Sequence, residues 1–144
     1  MIKGVTTTPL DVIDTAGGSV LHAMKSSSEG FLGFGEAYFS TIDFKAIKGW
    51  KRHTEMTLNL IVPIGAVRFI LYDDTEEGNS SKQFQEVILS RSENYGRLTI
   101  PPMIWLGFQG LDQHTNILLN IADIEHSPNE VDRKNLNEIK FNWD

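Results

Sequence analysis

Thr57-Leu58-Asn59-Leu60-Ile61-Val62-Pro63-Ile64-Gly65-Ala66-Val67-Arg68-Phe69-Ile70-Leu71-Tyr72 is the stretch that decides the fold. Apolar residues alternate with a period of two over Thr57–Val62 and Ala66–Tyr72, and Pro63-Ile64-Gly65 breaks the pattern between them. That combination marks two half-buried strands joined by a turn. Outward along the chain the same signature returns at Phe84–Leu89, Arg97–Ile100, Trp105–Phe108 and Asn116–Ile121. The breaks fall at Asp73-Asp74 through Ser81, at Ser92-Glu93-Asn94, at Pro101-Pro102 and at Gln109-Gly110-Leu111-Asp112. Alternation in short runs extends from about Val20 to Trp143, so the chain reads as all-β, an antiparallel sandwich or barrel. From Ala16 to Gly35, glycines and Ser26-Ser27-Ser28 predict loops between short early strands near Val20 and Phe31. Ser127-Pro128-Asn129-Glu130 offers an N-cap, a proline at the first helical position and a carboxylate at the third, which predicts a short helix or turn.

The bulk numbers narrow the function classes. A chain of 144 residues, 40% hydrophobic, is the size of one domain, and we read residues 1–144 as that domain. A net charge of −6 disfavours polynucleotides, although a few local cations suffice for one phosphorylated small molecule. Cysteine is absent, which removes disulfides, thiolate metal sites and cysteine nucleophiles. Met1-Ile2-Lys3-Gly4-Val5-Thr6-Thr7-Thr8 lacks the apolar run of a signal peptide, and no later run is long enough to span a bilayer as a helix. The expectation is a soluble cytoplasmic protein with no membrane partner.

Side-chain chemistry concentrates in Lys48-Gly49-Trp50-Lys51-Arg52-His53. On an extended chain Lys51 and His53 point to one side, Trp50 and Arg52 to the other. A cation beside an imidazole suits proton abstraction next to a carbonyl: the histidine acts as base, and the ammonium stabilises the enolate oxygen. The plainer reading is a solvated basic strand end. Lysine is a poor metal ligand when charged, and His22, His114 and His126 are isolated in sequence, so we expect no metal centre. No Gly-x-Ser-x-Gly elbow or glycine-rich phosphate loop is present. Phe31, Phe34, Tyr38, Phe39, Phe44 and Trp50 precede the basic motif, and Trp105 and Phe108 come after the double proline. They read either as core or as a stacking surface for a base or sugar.

Four pieces stand in a telling order: Glu36-Ala37-Tyr38-Phe39-Ser40, Lys48 to His53, Gly65-Ala66-Val67, and Ile100-Pro101-Pro102-Met103-Ile104-Trp105-Leu106-Gly107-Phe108. From Glu36 to Pro128 the chain resembles the dTDP-4-dehydrorhamnose 3,5-epimerase family of cupins. The resemblance implies a cupin-type jelly-roll β-sandwich with a short C-terminal helix or turn, usually a homodimer, and no cofactor. It implies an isomerase with diverged catalytic residues, taking a nucleoside-diphosphate 4-keto sugar in deoxysugar or surface-polysaccharide (lipopolysaccharide) biosynthesis. In register, the family's basic histidine falls on Lys51 and the next pocket position on His53; its arginine becomes Lys48 and its first glutamine Glu36. Its two pocket tyrosines fall on Asn120 and His126, and the aspartate that pairs with its histidine has no counterpart. With Lys51 in the place of the family's base, we expect His53 to serve as base, Lys51 or Lys48 as oxyanion or phosphate partner, and His126 as second proton group, ahead of Tyr72 and Tyr95. Glu36 and Asn120 would orient sugar hydroxyls, with Trp105 as an apolar wall. His53 also matches the second histidine of cupin 3,4-ketoisomerases acting on 4-keto-6-deoxy sugars. Ketone migration and non-catalytic binding of the sugar nucleotide stay open beside epimerisation.

Overall fold

The structure is a computed structural model that describes residues 1–75 and 82–144. Its strands are β1 (Thr6–Pro9), β2 (Val12–Thr15), β3 (Gly18–Leu21), β4 (Glu36–Thr41), β5 (Ile47–His53), β6 (Leu58–Ile64), β7 (Ala66–Asp73), β8 (Gln83–Ser90), β9 (Gly96–Ile100), β10 (Trp105–Gly110), β11 (Ile117–Ala122) and β12 (Val131–Arg133). All six alternating runs are strands. The break expected at Pro63-Ile64-Gly65 is tighter than its residues suggest, because β6 runs through Ile64 and the chain reverses at Gly65. There φ is 81°, and a Cβ would lie 2.3 Å from the Thr115 carbonyl oxygen, so only glycine fits. Of the break expected from Asp73 to Ser81, residues 76–81 lie outside the described residues. No strand forms at Phe31, and strand structure ends at Arg133 rather than near Trp143.

Strands β4 to β11 pair as one long hairpin would: β4 with β11, β5 with β10, β6 with β9 and β7 with β8, all antiparallel. Rolling that hairpin gives two five-stranded sheets, β1-β9-β6-β11-β4 and β12-β5-β10-β7-β8. This is the jelly-roll path, and β2 and β3 form a separate hairpin. The space between the sheets is filled at one end by Leu58, Leu60, Val62, Val67, Phe69, Leu71, Leu98 and Ile100, all buried. Each such side chain contributes about 1.5–3 kcal/mol by leaving water.

The outer faces are covered too. On the second sheet, Trp50, Ile70, Tyr72 and Trp105 pack under Ile139, with Phe141 and Trp143 beside them. Gly107 makes room, since a Cβ there would come within 3.0 Å of the Trp143 ring and 3.1 Å of the Trp50 ring. On the first sheet, residues 22–31 are tied down by Arg97, which donates to the carbonyls of Ala23 and Glu29, and by Asn59, which donates to that of Gly30. The expected C-terminal turn exists as a 3-10 segment at Pro128–Glu130, but the Ser127 side chain makes no capping bond. The Glu130 side chain is drawn inward instead, toward β5.

Candidate active site

A cavity of about 610 Å³ opens between the sheets, within the usual size of small-molecule sites. The first sheet lines it with Tyr38, Ser40, Leu58, Leu60, Leu118 and Asn120, and the second with Lys48, Lys51, His53, Leu106 and Phe108. Gly49 and Trp50 of β5 also border it, and Arg133, Lys134, Asn135 and Glu138 close it from the C-terminal side.

Strand β5 sets the reactive wall. Lys51 lies opposite Leu106 and faces inward with it, while Arg52 lies opposite Trp105 and faces outward, its guanidinium 4.7 Å from the Trp105 ring. Strict alternation would send Lys48 outward as well. Between Lys51 and Lys48, however, β5 takes three steps where β10 takes two from Leu106 to Phe108. This bulge reverses the parity and puts Lys48 on the same wall as Lys51 and His53.

His53 is buried, and its Nδ1 lies 2.5 Å from Glu130 Oε1. Glu130 reaches it because β12 pairs with β5, Val131 opposite His53. The other carboxylate oxygen accepts the backbone N–H groups of Met56 (3.2 Å) and Glu55 (3.3 Å). Burial pushes the Glu130 carboxyl up. The hydrogen bond from His53, the bonds from Met56 and Glu55 and the His53 charge outweigh it and hold the carboxyl below its usual range. An ionised Glu130 accepts a hydrogen bond from Nδ1–H, so the ring's other nitrogen, Nε2, carries the lone pair. The sequence reading left the site histidine without a carboxylate partner, and the structure corrects it: Glu130 fills that place where an aspartate was sought.

Cations crowd beside this pair. Burial lowers the Lys51 pKa, the Arg133 and Lys48 charges lower it further, and Glu130 opposes them. Lys48 Nζ donates to the Thr41 carbonyl oxygen at 2.7 Å. Among the described residues, no carboxylate forms an ion pair with Lys48, Lys51 or Arg133. Across the cavity, Asn120 Nδ2 donates to the Tyr38 hydroxyl at 3.1 Å, leaving the Tyr38 proton to point elsewhere. Asn120 Oδ1 is buried without a partner among the described residues, an acceptor that a ligand hydroxyl would satisfy.

The structure brings His53, Lys51, Lys48 and Asn120 together on the cavity walls and leaves three of the predicted residues outside. Trp105 is not an apolar wall: it is 2% exposed on the outer face, where its Nε1 donates to Asp74 at 3.0 Å. Glu36 and His126 hold each other instead of a sugar, the His126 backbone N–H donating to Glu36 Oε1 at 2.9 Å. The His126 ring is exposed and does not line the cavity. Tyr72 packs outward under the C-terminal segment, and the Tyr95 hydroxyl donates to the His22 carbonyl. The tyrosine that lines the cavity is Tyr38, on the sheet across from His53, and its place on β4 agrees with alternation with Ser40. Among the described residues, no three His, Cys, Asp or Glu side chains converge as a metal site.

Fold and cavity together define a cupin-type jelly roll with a buried histidine–glutamate pair at a cavity between its sheets. Over 99% of its length the chain is similar to the solved structure of a dTDP sugar isomerase from Desulfovibrio desulfuricans G20. The two share 36% identity and a TM-score of 0.93, over 92% of that chain. The chain belongs to the cupin-type dTDP-sugar isomerase and epimerase family. The 3,4-ketoisomerase QdtA from Thermoanaerobacterium thermosaccharolyticum, solved in complex with TDP, matches at 17% identity and TM-score 0.77, over 96% of this chain and 93% of that one. The 3'-monoepimerase ChmJ from Streptomyces bikiniensis, in complex with dTDP-quinovose, matches at 11% and 0.82, over 94% and 71%. At these lower identities the likeness shows the fold alone. No protein-family model matches the sequence, and no curated protein does.

Proposed function

We propose that the protein is a sugar-nucleotide epimerase, which takes a nucleoside-diphosphate 4-keto sugar into the cavity and inverts a carbon beside the ketone. The carrying observation is the buried His53–Glu130 pair on one wall, with Lys51 beside it and the Tyr38 hydroxyl on the facing sheet. His53 Nε2 takes the proton from the carbon next to the ketone, and Glu130 stabilises the imidazolium through Nδ1–H. The Lys51 ammonium faces the oxygen that becomes an enolate. Tyr38 returns a proton to the opposite face, which inversion requires, and Asn120 Oδ1 accepts a sugar hydroxyl. Lys48 takes phosphate charge. Thymidine is the nucleoside we assign, on the ligands of the relatives, and deoxysugar or surface-polysaccharide biosynthesis is the setting.

One observation favours a second reading: His53 and Lys51 share a wall, and a proton moved between neighbouring carbons on one face is what 3,4-ketone migration needs. Incubation with a dTDP-linked 4-keto-6-deoxy sugar in deuterium oxide, followed by NMR, separates the two. Epimerisation puts deuterium at a carbon flanking the ketone with inversion; migration moves the ketone. No exchange at either flanking carbon would refute both, leaving a binding protein. The reading also carries a homodimer, because Leu32, Phe34 and Phe39 are exposed on and beside the edge strand β4. A monomer in sedimentation at micromolar concentration would count against it.

A further inference from the structure

Arg133 lies beyond the stretch that resembles the family, yet its side chain shares the wall of the cavity. It sits opposite Lys51 in the β12–β5 register and faces the same way, while its neighbour Asp132 faces outward and binds Arg52 at 2.8 Å. The charges of Arg133 and Lys48 both bear on Lys51. Three cations turned toward one cavity repel one another, Glu130 offsets only part of that at Lys51, and a diphosphate is the part of the proposed substrate that carries charge to offset the rest.

The C-terminal segment beyond Arg133 fixes where that side chain stands. Lys134 exchanges two backbone hydrogen bonds with Trp50, at 3.0 and 3.1 Å. From there the segment crosses the outer face of the second sheet, where the Trp143 ring lies 5.5 Å from that of Trp50, over Gly107. Arg68 Nη1 donates to the Trp143 carbonyl at 3.2 Å. Trp143 does not line the cavity. It bears on the site from outside, through Trp50 on β5 and through the segment that carries Arg133.

We infer that this C-terminal strap completes the anion site: Arg133 binds the nucleotide diphosphate, and Trp143 is a positioning residue that holds Arg133 by clamping the strap. The inference rests on the sugar-nucleotide reading of the cavity. Calorimetric titration of dTDP into the wild type, R133Q, W143A and the double variant tests it. R133Q should weaken binding about tenfold or more, the loss of one charge-assisted contact. W143A should weaken it several-fold, and the double variant should bind no worse than R133Q, because Trp143 acts through Arg133. Wild-type affinity in R133Q overturns the anion site. Penalties that add in the double variant overturn the positioning role, since a general loss of structure is indifferent to Arg133. If circular dichroism shows W143A unfolded, R68Q replaces it in the cycle under the same criterion. A wild type that does not bind dTDP at all overturns both this inference and the reading it rests on.

Discussion

Replacing Glu130 by glutamine keeps the shape of the site and removes its charge. Glu130 accepts hydrogen bonds on both oxygens, from His53 Nδ1 and from the backbone N–H groups of Met56 and Glu55, and it is 2% exposed. Glutamine has one acceptor oxygen and cannot serve both sides. If its NH2 group meets His53, the ring takes the tautomer with its proton on Nε2 and loses the lone pair that acts as base. If its oxygen meets His53, Met56 and Glu55 lose their acceptor. A hydrogen bond to a charged group contributes about 1.5–3 kcal/mol, so proton abstraction should slow by roughly one to two orders of magnitude. Linkage supplies a second readout. The folded carboxyl titrates below its usual 4.5, so Glu130 contributes stability that is complete above that value and lost as the pH falls through the folded-state pKa. E130Q has no such term, and the gap in melting temperature between wild type and variant should be wide at neutral pH and narrow in acid. Deuterium incorporation followed by NMR, with thermal melts at both pH values, checks the two effects. Exchange in E130Q at the wild-type rate, or a melting gap that ignores pH, would refute the coupling of Glu130 to His53.

Y38F should still exchange deuterium through His53 but stop inverting, which product analysis by NMR would show as labelled, uninverted substrate. K51M should slow exchange yet raise the melting temperature near neutral pH. Burial and the Arg133 and Lys48 charges lower the Lys51 pKa, so charging it costs stability that the variant recovers, and the advantage should vanish above about pH 10.5, where the lysine is neutral in either state. H126A, altered outside the cavity, should leave the exchange rate unchanged. W105F should also exchange normally but lose about 1 kcal/mol in denaturant unfolding, because the Nε1 bond to Asp74 goes.

Period-two alternation locates the central strands because one face of each is turned to the core, and that signal is local. It fails where both faces are buried. On β10 the inward Leu106 and Phe108 and the outward Trp105 are all apolar, since the C-terminal segment covers the outer face, so hydrophobicity does not tell in from out. The placement of Trp105 on the cavity side fails for that reason. The residues from Lys48 to His53 are legible as a reactive strand, with Lys51 and His53 on one side. The bulge that adds Lys48 to them depends on β10 and leaves no mark of its own in the sequence. Tyr38 has a usable signal in its alternation with Ser40, but the aromatic cluster around it masks that signal. Glu130 has a misleading one. In Ser127-Pro128-Asn129-Glu130 a third-position carboxylate reads as helix capping, and only the pairing of β12 with β5 shows that it serves a histidine 77 residues away.

That pairing concentrates several duties in the short strand β12. Without it β5 would be the edge of its sheet, with unpaired backbone groups beside the reactive residues. With it, the chain leading into β12 delivers Glu130 to His53, Asp132 fixes Arg52 on the outside, and Arg133 turns to the cavity. Strand β5 is thus held on both sides by neighbours and packed on its outer face through Trp50, which fixes the inner face from which His53 and Lys51 project. The facing wall carries no formal charge: Tyr38, Ser40, Asn120 and three leucines. In the proposed reaction a sugar between two such unequal walls loses its proton on the charged side, so the stereochemistry of abstraction would be set by which sheet β12 joins.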